Sequence, residues 1–388
     1  MRKWLIFFLI LLVVSGGYYV YTQVYKNQQI VEEDLNVTGV LKLDELGELE
    51  CGEADLVDYY TYAESAWEHN NKFGIYIYAE NKDFFELAQK LVNSNGGDWG
   101  YVLIPFNVKD NDKDKWERVF TQLRNKHLIP VIQLWDIDLD DYEDQTEESA
   151  QFLDSFVWPI KPRYITAYNE MNDSKFWYGK VDPTEYATIL NYTIDVFKNQ
   201  NPDFYIMNGA LNISAPTDSI HMDALEYITK MNERVPGIFS KLDGWASHPY
   251  PQPNFSGSPL ASGRWSIKAY EEELEHLKSL GVEKELPVFI TETGWAHQEG
   301  ESFNQTYWDI DKVSEDFKTA YTKVWLEDDR VRAVMPFTIR YDPPFDHFSW
   351  VNKDNVPYKH YDVVKSIKKV SGNPPRLEIK TINVCSQN

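Results

Sequence analysis

Tyr164-Ile165-Thr166-Ala167-Tyr168 runs directly into Asn169-Glu170, and far downstream Pro287-Val288-Phe289-Ile290-Thr291 runs directly into Glu292-Thr293-Gly294-Trp295. Both apolar runs have the length and the β-branched or aromatic content of buried strands. A glutamate at the exit of such a strand leaves the core at one edge of a sheet. One such glutamate is an ordinary surface residue, because exposed Glu is the norm. Two in the same fold supply what a reaction needing an acid and a nucleophile requires.

On either side of these two runs, strand-like and helix-like stretches alternate. The strand candidates are 73–79, 99–105, 128–134, 164–168, 204–208, 242–247, 287–291 and 331–339. Helical candidates follow each in turn, at 84–92, 115–126, 147–156, 183–197, 222–232, 266–280, 311–325 and 361–370. Trp116, Val119, Phe120 and Leu123 show the i, i+3, i+4 spacing of a helix face. Asp182-Pro183-Thr184-Glu185 offers an N-cap, a proline at the first helical position and a capping-box glutamate. Eight strand–helix units predict an α/β protein of the (β/α)8 TIM-barrel type. A doubly wound sheet is the alternative, but no glycine-rich turn opens a phosphate site. In a barrel, chemistry sits at the C-terminal ends of the strands, where both glutamates fall, on the fourth and the seventh.

The chain has 388 residues, 15% of them aromatic, and can bury a large core. Its 61 acidic against 38 basic residues give a net charge of −23, which repels nucleic acid and anionic membrane surfaces. No cofactor motif is present, and no His/Cys cluster has the regular spacing of a metal site. The oligomeric state is left open. After Met1-Arg2-Lys3 no charge appears until Lys26. Residues 1–25 therefore read as a cleavable signal peptide or as an uncleaved anchor spanning the ~30 Å hydrocarbon layer. In either case the remainder is exported, and the membrane is a partner through this segment only. Residues 26–71 read as an acidic tether and N-terminal extension, 72–370 as the catalytic barrel and 371–388 as a tail with a possible edge strand. Cys51 and Cys385 flank the barrel and would form one disulfide or remain two thiols.

Cleaving a glycosidic bond needs a carboxylic acid to protonate the leaving oxygen and a carboxylate on the other side of the sugar, about 5–5.5 Å away when it acts as the nucleophile. Asn-Glu ending the fourth strand and Glu-Thr-Gly-Trp ending the seventh resemble the clan A retaining glycoside hydrolases, TIM-barrel enzymes with catalytic glutamates on those strands. The resemblance implies Glu170 as general acid/base and Glu292 as nucleophile, with Glu170 protonated while Glu292 is ionised. It implies a carbohydrate substrate, with Asn169 on the sugar 2-hydroxyl and His248 or Tyr250, after the sixth strand, donating to Glu292. Asn107, Trp135 and Trp177 follow strand ends and Trp295 closes the nucleophile motif; these four are candidate subsite walls, each with core packing as its plain alternative. After the eighth strand, Trp350 is the candidate floor of the sugar site and Arg340 a candidate substrate or nucleophile contact.

One position departs from the pattern. Many clan members carry an arginine on the second strand near the nucleophile, and Leu103 stands there in this chain. Arg340 or Arg264 would have to substitute. The reading is an exported β-glycoside hydrolase acting with retention; a non-catalytic carbohydrate-binding protein on a degenerate barrel and a transglycosylase are the alternatives.

Overall fold

A computed structural model of the chain describes residues 40–43, 46, 56–64 and 69–383. Its centre is a set of eight parallel strands: β3 (Gly74–Tyr76), β4 (Gly100–Asn107), β5 (Leu128–Trp135), β6 (Arg163–Asn169), β7 (Phe204–Ala210), β8 (Trp245–Ser247), β9 (Val288–Ile290) and β10 (Val331–Val334). The first five form one parallel sheet and the last three another. A parallel bridge between Met207 and Gly244 joins β7 to β8, and one between Phe73 and Val334 joins β3 to β10, so the strands run round a ring. At the β7–β8 seam the Asn208 side chain takes over from the backbone ladder, accepting from Ala246 N and donating to Ala246 O, both at 2.9 Å.

Among the described residues a helix follows each ring strand: α1 (Lys82–Val92), α2 (Lys113–Asn125), α3 (Tyr142–Asp154), α4 (Pro183–Gln200), α5 (Ala224–Arg234), α6 (Tyr270–Ser279), α7 (Ile310–Ala320) and α8 (Lys359–Ser366). The expected cap is present on α4, where Asp182 accepts from Thr184 N and Glu185 N. The capping-box glutamate behaves differently: Glu185 receives Trp177 Nε1 at 3.0 Å and Lys180 Nζ at 2.6 Å.

Side-chain alternation divides the core in two. Tyr101, Leu103, Ile129, Val131, Phe289, Ala333 and Met335 pack together inside the ring. Val102, Ile104, Ile132, Ile165, Val288 and Val334 pack outward under the helices. This period of two is the ordinary pleat of a strand, so the residue continuing the inward parity at each C-terminal end faces the barrel mouth.

The opposite end of the ring carries a small third sheet. β1 (Leu41–Lys42) pairs with β2 (Leu56–Tyr62), and β2 pairs antiparallel with β11 (Leu377–Asn383). β2 lies in the stretch read as a tether, and β11 is the anticipated edge strand. Bonds from Lys161 N to Pro375 O and from Leu377 N to Pro159 O fix this sheet before the start of β6, away from the mouth. Among the described residues no helix is long and apolar enough to cross a membrane. Residues 1–25, Cys51 and Cys385 lie outside the described residues.

Candidate active site

At the C-terminal ends of the strands is a cleft of about 1100 Å³, and both glutamates line it. Glu170 reaches it through a break in the strand pattern. Tyr164 faces into the ring, but Tyr168 has φ 76° and its ring lies outside, against Trp177 and Tyr186. Glu170 itself has φ 44°. Left-handed backbone at two non-glycine residues costs of the order of 1–3 kcal/mol each, and such strain gathers at functional sites. Two contacts hold the break. Glu170 N donates to Ala210 O at 2.8 Å, and the Tyr186 hydroxyl bridges Ala167 O and Gly209 N. Gly209 is required there, because a Cβ would meet Ala167 O at 2.3 Å.

The two carboxylates and His248 form one cluster, with a donor atom of each within 4.8 Å of the others. That spacing fits the retaining geometry and is well short of the roughly 6.5–9.5 Å of an inverting pair. Tyr250 donates to Glu292 Oε2 at 3.0 Å, as expected. His248 differs from the expectation: its Nδ1 is 3.0 Å from Glu170 Oε1 and 3.9 Å from Glu292 Oε2. Burial disfavours the charged imidazole, but the two carboxylates outweigh it and its pKa is raised. A metal would have to displace that proton, since an imidazole ligand is neutral.

The expected balance of charge is also altered. Burial pushes the Glu292 carboxyl up to about 7, aided by the Glu170 charge and opposed by His248 and the Tyr250 hydrogen bond. No arginine from the second strand offsets that burial. Leu103 is fully buried inside the ring and offers no charge. Neither proposed substitute acts on Glu292. Arg264 pairs with Asp223 and donates to Ile213 O. Arg340 donates to Asn355 Oδ1 at 2.9 Å, lies over the Phe84 ring and lines a second cavity of about 540 Å³.

Of the candidate binding residues, Asn107, Trp135 and Asn169 line the cleft. Gln133 Nε2 donates to Asn169 Oδ1 at 3.1 Å, which leaves the Asn169 amide hydrogens to face a ligand. Asn107 is held by Asp136 at 3.1 Å, and Trp135 is 42% exposed. Three tryptophans are corrected to packing roles. Trp177 turns inward to donate to Glu185. Trp295 donates to Gly257 O and packs on Phe317. Trp350 is buried between Phe317 and His360.

Sequence reading missed the aromatic side of the cleft. Phe337 lines it, 5.0 Å from Tyr76, with Tyr341 and Phe348 beside it. Its signal was the inward parity of Ala333 and Met335, which Phe337 continues. Trp265, 53% exposed after β8, also lines the cleft and had no periodic signal.

No protein-family model matches the chain, and no curated protein matches it. Solved structures do. An endo-beta-1,3-glucanase from Pseudomonas viridiflava superposes with a TM-score of 0.50 at 13% identity, over 77% of this chain and 98% of that one. A glucosidase from Croceicoccus marinus gives 0.56 at 11% identity, over 83% and 72%. A beta-glucuronidase from Bacteroides uniformis gives 0.51 at 11%, over 80% of this chain and 37% of its own. These neighbours are glycoside hydrolases, and the fold resembles that of the clan A TIM-barrel glycosidases.

Proposed function

We propose that this chain is a retaining β-glycoside hydrolase. The observation that carries the proposal is the pair Glu170 and Glu292, on the fourth and seventh ring strands, with carboxylate oxygens within 4.8 Å in a cleft of polysaccharide-binding size. Glu292 attacks the anomeric carbon and forms a covalent glycosyl-enzyme. Glu170 protonates the departing oxygen and then takes a proton from the incoming water. Asn169 donates to the sugar 2-hydroxyl. Phe337 and Tyr76 bound the ring beside the nucleophile, and Trp135 and Trp265 offer exposed aromatic faces farther along the cleft. Residues 1–25 carry the enzyme outside the cell, as a signal or an anchor.

The test is a panel of activated 2-deoxy-2-fluoro glycosides followed by peptide mass mapping. A single sugar adduct on Glu292 is the expected result. Absence of any adduct across the panel, with glycan binding retained, makes the chain a binding protein. Transfer to an added sugar in preference to water makes it a transglycosylase.

A further inference from the structure

The exposed aromatic side chains of this protein are gathered on one face. Among the described residues they are Trp135, Tyr178, Trp265, Phe303 and Trp308. Each stands at the C-terminal end of a ring strand or in the connection from that strand to the next helix, which is the side of the mouth. The exposed apolar residues of the opposite end, such as Leu56, Val370 and Ile379, are aliphatic. A single exposed apolar residue needs no explanation, but rings confined to one face of a barrel do. Trp135 and Trp265 line the cleft of the two glutamates; Phe303 and Trp308 stand outside it.

Phe303 and Trp308 belong to the loop between β9 and α7, and that loop is built. Gln298 N donates to Trp308 O at 2.8 Å and Asn304 N to Gln298 O at 3.0 Å, which closes the segment on itself. Trp308 Nε1 donates to Ser256 O at 3.1 Å and so fixes the indole; the preceding Phe255 lines the cleft against Tyr250. Lys312 Nζ lies over the Trp308 ring at 5.9 Å, and the residue is still 38% exposed. Trp265 is presented in the same way, with the Arg264 guanidinium over its ring at 5.2 Å. Phe303 is 67% exposed and has no ring partner among the described residues. Three properties choose the occupant. Asn304, Gln305 and Thr306 separate the two rings, so the loop lacks the contiguous apolar patch of a protein interface. The net charge of −23, with Glu299 and Glu301 on this very loop, repels nucleic acid, anionic lipid and anionic glycans. Through Ser256 and Phe255 the loop is continuous with a cleft assigned to a sugar chain.

We propose that Trp308 and Phe303 form a second glycan-binding site on the rim of the mouth, which holds a neutral β-linked polysaccharide while another stretch of the same polymer occupies the cleft. The rings stack on the apolar C–H faces of the pyranoses, a contact that a fixed, exposed indole makes at little cost in side-chain entropy. Two sites on one polymer act together, because binding at the rim raises the local concentration of chain at the cleft. The choice of a glycan rests on the hydrolase reading of the neighbouring cleft; the grouping of exposed rings on the mouth face does not.

The experiment is partition of the full chain onto particles of cellulose, mannan, xylan and β-1,3-glucan, measured by depletion from solution in a Glu292→Gln background so that the polymer survives. Phe303→Ala and Trp308→Ala should each lower the partition constant on the bound polymer about 2- to 12-fold, the range of one aromatic contact. Trp308→Tyr keeps a ring and should lose less than alanine does. With Glu292 restored, both alanine variants should leave kcat/KM for an aryl monoglycoside unchanged and lower it for the polymer. Phe303 has no ring partner to lose, so its variant reads the site even if Trp308→Ala does not fold. Equal partition of parent and variants, or no partition onto any of the four polymers, overturns the proposal. Self-association in sedimentation velocity that the variants abolish also overturns it, and makes this face an interface between copies. Partition lost in the variants without any turnover sinks the hydrolase reading alone; turnover of the aryl glycoside with unaltered partition sinks the rim site alone.

Discussion

Tyr250 and Glu292 are joined by a 3.0 Å hydrogen bond from the phenol to the carboxylate Oε2, and this is the one direct hydrogen bond to the proposed nucleophile among the described side chains. The phenol stabilises the charged carboxylate in a site where burial works the other way. Tyr250→Phe is expected to lower kcat about 10- to 100-fold, the equivalent of one hydrogen bond to a charged group. Its acidic limb should also move upward. A pH series of kcat/KM on an aryl glycoside checks both; a uniform loss with no shift would assign Tyr250 to substrate binding instead.

Burial of Glu292 makes activity and stability oppose each other in pH. Its carboxyl titrates near 7 in the folded protein, above the ordinary carboxylate range. The folded state therefore holds the proton that the unfolded chain releases near pH 4.3–4.5, and stability falls as pH rises through about 7. The proposed attack by Glu292 needs the ionised form, so turnover is expected to rise through the same window. Glu292→Gln removes the buried charge and should stabilise the fold at pH 8 by about 2–3 kcal/mol, with the gain gone below pH 4.5. Thermal unfolding of both proteins at the two pH values measures this.

Exposed and buried tryptophans should part company in the same assay. Trp135→Ala and Trp265→Ala remove exposed faces from the cleft. Each should raise KM several-fold, on the scale of about 0.5–1.5 kcal/mol for an aromatic contact, while leaving the melting temperature alone. Trp350→Ala opens a cavity beside Phe317 and His360 and should cost about 3–5 kcal/mol of stability. Chemical denaturation paired with kinetics separates the two classes.

The ring was legible because each of its strands is an apolar run followed by a helical period, and both signals are local. The two cleft glutamates were legible because each ends such a run. What stayed hidden depends on side-chain direction across elements. Trp177, Trp295 and Trp350 follow strand ends as Trp135 does, but buried partners in Glu185, Gly257 O and Phe317 claim them. The His248 partner was misjudged because Tyr168 and Glu170 adopt left-handed backbone, which swings Glu170 toward the imidazole in a way no period-two pattern encodes. Phe337 was within reach of the pattern, since it continues the parity of Ala333 and Met335.

Glu170 offers the most discriminating test of the division of labour. Glu170 is 9% exposed and its carboxyl lies 3.0 Å from His248, so it can exchange protons with both the imidazole and a bound leaving group. Protonation of the departing oxygen matters in proportion to how poor the leaving group is. Glu170→Ala should therefore slow hydrolysis of natural glycosides by about 100- to 10,000-fold, yet allow an aryl glycoside with an acidic phenol to form the covalent intermediate at Glu292. That intermediate should accumulate as a burst of phenol, because the same residue activates water in the second step. Azide needs no general base and fits the space left by the side chain, so it should restore turnover and give a glycosyl azide of retained configuration. Equal loss on good and poor leaving groups, with no azide product, would remove Glu170 from the acid/base role and leave it as a charge that only positions His248.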